Sequence, residues 1–123
     1  IGTATPDRVK KVWQACLAEM DAASLAGHFH NTYGMAIANI YQSLEQGIRV
    51  FDSSIAGLGG CPYAKGASGN VSTEDLYYLL SNMGYDTGID LDALMIASQN
   101  ISQVLQRTNP SNYANAYWQK RCA

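Results

Sequence analysis

The chain has 123 residues, of which 47% are hydrophobic, so it is long enough to bury a core. Its formal net charge of −2 and the lack of a basic stripe argue against binding to nucleic acid or to an anionic membrane surface. No apolar run approaches the roughly 18–20 residues needed to span a bilayer. The three cysteines, Cys16, Cys61 and Cys122, lie far apart without a CxxC pair, which favours a reducing interior over a disulfide framework.

The first part of the chain predicts a helix, a strand and a second helix. Thr5 and Pro6 suit the N-cap and the first helical position, and a single apolar stripe follows at spacings of three and four. Residues 24–30 (SLAGHFH) then predict a strand. Residues 35–45 predict a second helix, which Gly47 closes as a left-handed cap.

The second part of the chain begins with another predicted strand at residues 48–53 (IRVFDS) and continues into a glycine-rich segment at 55–70. The remaining predicted elements are a third helix from Ser72 to about residue 82, a doubtful short strand at 85–89, a fourth helix capped by Asp90 and reaching about residue 107, and a last short helix toward Trp118.

This order of elements is a β/α alternation, which predicts a parallel sheet with helices packed outside it. Two clear strands and one doubtful strand cannot form a sheet covered on both faces, and they cannot close a barrel. The chain also begins at Ile1 rather than at methionine. We therefore expect an α/β fold that is part of a larger one.

The two histidines of the chain, His28 and His30, lie on the same predicted strand. Residues i and i+2 of a strand point to one face, and this pair lies at the carboxyl end, where parallel α/β folds gather their sites. A pair of hydrogen-bonded structural histidines is the alternative to a metal site. With Cys61 as a third ligand the metal would be zinc, and with amide or carboxylate oxygens it would be magnesium or manganese. For Asn31 a turn-forming role is preferred to a ligand role.

The segment IAGLGGCPYAKGASGN (55–70) contains five glycines and Cys61. Segments longer than about 12–15 residues without structure of their own are typically functional or disordered. We interpret this one as a mobile lid that carries a nucleophilic or acid–base thiol, and an incidental exposed thiol is the alternative. The segment lacks the GxxxxGK[ST] spacing of a phosphate-binding P-loop.

Two longer stretches carry a resemblance to a known family. GHFHNTYGMAIAN (27–39) and VFDSSIAGLGGCPYAKGASGNVSTEDL (50–76) resemble the 3-hydroxy-3-methylglutaryl-CoA lyases, which belong to the metal-dependent aldolase and acyltransferase barrels. The HxHN segment is common to the wider superfamily, whereas the segment with Cys61 is closer to the lyases themselves. The resemblance covers nearly the whole chain and weakens after about Ile101.

The resemblance implies that residues 1–123 form the C-terminal half of a (β/α)8 TIM barrel, from about strand six to the closing helices, with the N-terminal half absent. It implies that His28, His30 and Asn70 are ligands of a divalent cation, Mg²⁺ or Mn²⁺, and that Cys61 is the catalytic thiol of the lid. The family's metal-binding aspartate and catalytic arginine at the end of strand one have no counterpart in this sequence.

The reaction implied by the resemblance is cleavage of 3-hydroxy-3-methylglutaryl-CoA to acetyl-CoA and acetoacetate. His28 is the implied base for the substrate hydroxyl, and Cys61 is the implied carrier of the proton to the enolate. Asn70 has an alternative role as the N-terminal cap of the third helix, and Asp52 is interpreted as a structural hydrogen-bonding residue.

Two other functions compete with this one. A related acyl-CoA aldolase or synthase would share the histidines but is disfavoured by the segment around Cys61, and a non-catalytic metal-binding half-barrel would pair with another half. The expected partners are an acyl-CoA substrate, the missing half of the barrel and, in the complete enzyme, further copies of itself. We expect a bacterial cytoplasmic location, or the mitochondrial matrix if the source is eukaryotic.

Overall fold

The computed structural model of the chain describes residues 1–60 and 69–122. The helices in this part are α1 (Pro6–Leu17), α2 (Ala36–Glu45), α3 (Thr73–Asn82), α4 (Leu91–Val104) and α5 (Asn112–Cys122). The strands are β1 (Gly27–His28) and β2 (Phe51–Asp52), and short 3₁₀ turns lie at Ala22–Ser24 and Ile55–Gly57. The described part is therefore a helix-rich α/β arrangement, as the sequence predicts.

The two strands pair in parallel, and α2 forms the crossover between them. Gly27 lies opposite Phe51 and His28 lies opposite Asp52. Both strands are shorter than predicted, because residues 22–24 form a 3₁₀ turn and the predicted second strand pairs only at Phe51 and Asp52. The doubtful strand at 85–89 forms no strand. This short parallel pair brings the carboxyl ends of both strands to one edge.

The helix ends follow their local sequence signals in most cases. Ser72 and Asp90 cap α3 and α4, each accepting a hydrogen bond from the backbone N–H three residues later. Gly47 follows α2 with a positive φ of 90°, as the predicted left-handed cap requires. Thr5 is the N-cap of α1, although its side chain makes no capping hydrogen bond.

The core consists of two neighbouring hydrophobic clusters, and both pack against residues of the strand region. One cluster is centred on Ile40 and Val71 and joins α2 to α3, and the other packs Trp13 of α1 against Ile48. Phe51 packs against both clusters, which fixes the strand pair between the helices. The apolar stripe predicted for α1 is buried only in part, since Val12 remains 58% exposed. None of the described helices is long and apolar enough to cross a membrane.

Candidate metal centre

The two histidines meet at the carboxyl end of β1. Their ring centroids lie 5.2 Å apart with an interplanar angle of 63°. The prediction that His28 and His30 project to the same side is therefore confirmed. Phe29 between them packs into the core, so the alternation of the strand separates an apolar face from a face that carries two imidazoles.

His30 carries a buried nitrogen that lacks a protein partner. Its Nδ1 is buried and has no hydrogen bond to any of residues 1–60 or 69–122. Burial of the ring lowers the pKa of His30, and the neighbouring His28 imidazole acts in the same direction. The imidazole is thus held neutral near pH 7, which is the form that binds metal ions.

His28 lies beside a carboxylate supplied by the neighbouring strand. Its Nδ1 is 3.4 Å from Oδ2 of Asp52, the residue directly opposite in the parallel ladder. A carboxylate on one ring nitrogen fixes the orientation of the imidazole and leaves the other nitrogen, Nε2, for a ligand. The contact agrees with a polar structural role for Asp52, and its partner, His28, follows only from the register of the two strands.

Asn70 lies against the extension of β1 beyond the paired residues. Asn70 and His30 form an isolated antiparallel bridge, and Asn31 N–H donates to the Gly69 carbonyl at 2.8 Å. The side-chain Nδ2 of Asn70 donates to the Leu58 carbonyl at 2.9 Å. This hydrogen bond uses the amide nitrogen and leaves the amide oxygen available to a further partner. Asn70 is not the cap of α3, because Ser72 fills that position.

Asn31 has the turn-forming role that the sequence predicts. Its carbonyl accepts a hydrogen bond from Gly34 N–H at 3.0 Å, and its side-chain oxygen accepts one from Ala36 N–H at 3.2 Å. Both hydrogen bonds help to turn the chain into α2.

The two ends of the glycine-rich segment approach each other closely beside Asn70. A Cβ atom at Gly59 would lie 2.6 Å from Asn70 Nδ2, and one at Gly69 would lie 1.9 Å from the Gly59 carbonyl oxygen. Gly59 also has a positive φ of 114°, which disfavours other residues. Glycine is therefore required at the base of the segment. Cys61, predicted as the catalytic thiol, lies outside the described residues.

The described donors are two imidazoles and one amide oxygen. Within the described ranges, no three histidine, cysteine, aspartate or glutamate side chains are grouped so that they could hold a metal ion. A separate cavity of about 880 Å³ lies between α2, α3 and α5, and neither His28, His30 nor Asn70 lines it. The chemistry indicated by the polar side chains is thus at the strand edge rather than in this cavity.

Comparison with known proteins places the chain in a family. The family model described as HMGL-like matches residues 1–101, and the chain belongs to this family. It is 54% identical over 111 residues to the hydroxymethylglutaryl-CoA lyase of Pseudomonas mevalonii, an alignment that covers 90% of this chain and 37% of that protein. It is 49% identical over 116 residues to the human mitochondrial hydroxymethylglutaryl-CoA lyase, covering 94% of this chain and 36% of that protein.

Solved structures agree with this assignment. The crystal structure of hydroxymethylglutaryl-CoA lyase from Pseudomonas aeruginosa matches with a TM-score of 0.94 and 52% identity, over 98% of this chain and 40% of that one. An HMG-CoA lyase of Acinetobacter baumannii, solved in complex with coenzyme A and 3-methylmalate, matches with a TM-score of 0.86 and 43% identity, over 94% of this chain and 38% of that one. The chain spans between 36% and 40% of the length of these four proteins.

Proposed function

We propose that this chain is the C-terminal half of a (β/α)8-barrel lyase that cleaves 3-hydroxy-3-methylglutaryl-CoA to acetyl-CoA and acetoacetate. The observation that carries the proposal is the meeting of His28, His30 and Asn70 at one strand edge, in a chain 54% identical to a hydroxymethylglutaryl-CoA lyase. Residues 1–123 would extend from about strand six of the barrel to its closing helices.

The exposed apolar residues support a larger barrel. Val50, directly before β2, is 53% exposed, and Val104 at the end of α4 is 76% exposed. Parallel sheets are normally covered on both faces, and a two-stranded sheet leaves both outer edges unpaired. Further strands and helices of a barrel would cover these surfaces.

The donor set fits a divalent cation held by His28, His30 and the side-chain oxygen of Asn70. Two observations support this fit: the buried Nδ1 of His30 has no partner among the described residues, and the hydrogen bond from Asn70 to Leu58 uses the amide nitrogen rather than the amide oxygen. Mixed nitrogen and oxygen donors suit Mn²⁺ or Mg²⁺ when oxygen atoms of the substrate or of other residues complete the coordination. A bound cation would supply Lewis-acid polarisation of the substrate oxygens.

The roles of the protein's own residues follow from their contacts. Asp52 Oδ2 lies 3.4 Å from His28 Nδ1, where a carboxylate would orient the ring and leave Nε2 for another partner. His28 can use Nε2 as a metal ligand or as the base that removes the substrate's hydroxyl proton, but one lone pair cannot serve both at once. We assign the ligand role first, because its neighbour His30 presents the second imidazole 5.2 Å away.

The proposal assigns to Cys61 the proton that the enolate of acetyl-CoA requires after the carbon–carbon bond breaks. The support is its position in the sequence between Gly59 and Asn70, since the Gly59 backbone lies close to the Asn70 side chain at the base of the segment. The acyl-CoA substrate is proposed because the relatives bear the name of lyases acting on this thioester.

The reaction itself is tested by following acetyl-CoA and acetoacetate release from 3-hydroxy-3-methylglutaryl-CoA with Mg²⁺ or Mn²⁺. We expect turnover from the protein in its natural full length and none from the isolated 123 residues. Absence of cleavage by the full-length protein, or robust cleavage by residues 1–123 alone, would contradict the corresponding part of the proposal.

The role of Cys61 is tested by Cys61→Ala in the full-length protein. We expect this variant to lose most of kcat, by a factor on the order of 10²–10⁴ for a general acid, while binding Mn²⁺ as before. Cys16→Ala is the matched control, since Cys16 packs beside the Trp13 cluster and away from the site. Turnover of Cys61→Ala close to that of the control would overturn the assignment.

A further inference from the structure

Glu74 is a buried carboxylate close to the proposed metal centre. It lies in the first turn of α3 and has no exposed surface. Both of its oxygens accept from Ala56 N–H, at 3.0 and 3.1 Å, and Oε1 also accepts from the Ser98 hydroxyl and from Asn109 Nδ2 at 3.4 Å. A buried carboxylate is tolerated only with partners of this kind, so these bonds fix the side chain firmly.

The backbone group that Glu74 binds belongs to a strained turn. Ala56 has a positive φ of 53°, a conformation that residues other than glycine, asparagine and aspartate rarely adopt. Arg107 Nη2 donates to the Ala56 carbonyl at 3.2 Å. Within the turn Ile55–Gly57, the Ala56 N–H is therefore bound by Glu74 of α3, and the Ala56 carbonyl is bound by Arg107, which follows α4. Such a turn persists because its surroundings over-determine it.

The Ile55–Gly57 turn also positions Asn70. Leu58 follows it directly, and the Leu58 carbonyl accepts the hydrogen bond from Asn70 Nδ2. A Cβ at Gly57 would lie 3.2 Å from the Asn70 carbonyl oxygen, so the turn also packs tightly against the Asn70 backbone. A displacement of the turn would move the acceptor that orients the Asn70 amide.

We propose that Glu74 is a positioning residue of the metal centre. Its carboxylate holds the turn at Ala56, the turn holds the Leu58 carbonyl, and this carbonyl orients the Asn70 side chain beside His30. The proposal rests on the proposed function, since it takes Asn70 as a metal ligand. The essential property of Glu74 is its acceptor oxygen at Ala56 N–H rather than its charge.

Two substitutions separate the acceptor from the charge. Glu74→Met has a similar volume but no strong acceptor, and Glu74→Gln retains one amide oxygen that can face Ala56 N–H. In the full-length protein we expect Glu74→Met to weaken Mn²⁺ binding, measured by electron paramagnetic resonance, by about tenfold. Glu74→Gln should recover most of this loss. Unchanged Mn²⁺ affinity in a folded Glu74→Met variant would overturn the proposal.

A second readout needs no metal. The side-chain NH₂ signals of Asn70 in a ¹⁵N-resolved NMR spectrum of the metal-free protein report its hydrogen bond to Leu58. We expect these signals to shift and exchange faster with solvent in Glu74→Met and to stay near their original positions in Glu74→Gln. Asn70 signals identical in all three proteins would contradict the proposed chain of contacts.

Combining Glu74→Met with a second substitution distinguishes a positioning role of Glu74 from a general effect on stability. Ala56→Gly removes the penalty for positive φ, so the turn should depend less on Glu74 in that background, and the effect of Glu74→Met on Mn²⁺ affinity should shrink. Ser43→Ala is the stability control, because Ser43 lies in a buried hydrogen-bond network between α1 and α2. An equal loss of affinity in Ser43→Ala would show that the effect is not positional.

Different results would refute the positioning role of Glu74 and the proposed function on which it rests. His28→Ala tests the metal centre itself, and unchanged Mn²⁺ binding in that variant would refute the proposed function. Binding that His28→Ala abolishes and Glu74→Met leaves intact would refute the positioning role alone. If Glu74→Met does not fold, Arg107→Met releases the Ala56 carbonyl instead and should shift the same two readouts in the same direction. A folded Arg107→Met variant with both readouts unchanged would contradict the proposal.

Discussion

The strand edge at His28 and His30 and the cluster around Glu74 are both polar, but their hydrogen bonding differs. At the edge, His30 Nδ1 is buried without a partner in the described part of the chain, and the hydrogen bond from Asn70 to Leu58 uses the amide nitrogen rather than the amide oxygen. In the cluster, both oxygens of Glu74 accept hydrogen bonds from donors on neighbouring elements. Polar atoms whose hydrogen bonds are all made within the protein stabilise the fold. Neighbouring polar atoms without such partners are suited to binding a metal ion or a substrate.

The largest predicted effect on metal binding and turnover comes from removing the imidazole of His30. His30→Ala in the full-length protein should abolish Mn²⁺ binding and lower turnover by a factor on the order of 10³ or more, because Lewis-acid stabilisation is worth several kcal/mol. The thermal midpoint of the metal-free protein should hardly change, since no described hydrogen bond to Nδ1 is lost. Titration with Mn²⁺ and calorimetry of the same sample measure both quantities.

The comparison would be wrong if His30→Ala unfolded the metal-free protein while the surviving folded fraction retained its turnover. His30 would then be a residue that stabilises the fold and not a metal ligand. Phe29 supplies a reference next to it in the chain, because its ring packs against both core clusters. Phe29→Leu should lower stability and leave the metal affinity unchanged.

The next largest effect is expected in the hydrophobic core, where a substitution should lower stability and leave the metal affinity unchanged. Ile40 of α2 is fully buried in the cluster that joins α2 to α3. Ile40→Ala should cost about 2–5 kcal/mol of unfolding free energy through lost burial and the cavity left behind. Its Mn²⁺ affinity at a temperature where it is folded should equal that of the unmodified protein. Denaturant unfolding gives the first quantity, and a weaker metal affinity would show that the core and the strand edge are coupled.

The sequence predicts the edge better than the cluster, for physical reasons that particular residues show. His28 and His30 are neighbours because of the two-residue period of a strand, which is local information. Ser72 and Asp90 are caps for equally local reasons. Glu74 fits the polar first turn of a helix, and nothing in its neighbourhood indicates burial, because its donors come from residues 56, 98 and 109.

The extent of the strands also escapes sequence reasoning. Residues 24–30 have the composition of a strand, but pairing is limited to Gly27 and His28 because the partner strand offers only Phe51 and Asp52. Strand length depends on the neighbour, which the alternation of apolar residues does not encode. The pairing of Asp52 with His28 is hidden for the same reason, since it requires the register between strands that are about twenty residues apart.

The smallest effect concerns a third polar cluster, which is paired but exposed. Asp92 in the first turn of α4 accepts hydrogen bonds from the Tyr117 hydroxyl and, at 3.1 Å, from Arg121 Nη2 of α5. The Tyr117 hydrogen bond and the nearby Arg121 charge lower the pKa of Asp92, and the Asp92 hydrogen bond raises the pKa of Tyr117. The carboxylate of Asp92 thus has two donors on Oδ1, but it is exposed to water, where such bonds contribute little.

The pH dependence of Asp92→Asn tests whether exposure makes this difference. The pKa of Asp92 is lowered on folding, so the ionised side chain stabilises the protein above the ordinary aspartate pKa of 3.8, and this contribution disappears as the pH falls through the lowered value. The urea midpoint of the unmodified protein should exceed that of Asp92→Asn slightly near neutral pH, and the two should converge in acid. Asp86→Asn is the control, since Asp86 bonds only within its own turn in the described part. The urea midpoint of Glu74→Met provides the reference. If Asp92→Asn lowered the urea midpoint as much as Glu74→Met does, hydrogen bonding rather than burial would determine how much each carboxylate stabilises the protein.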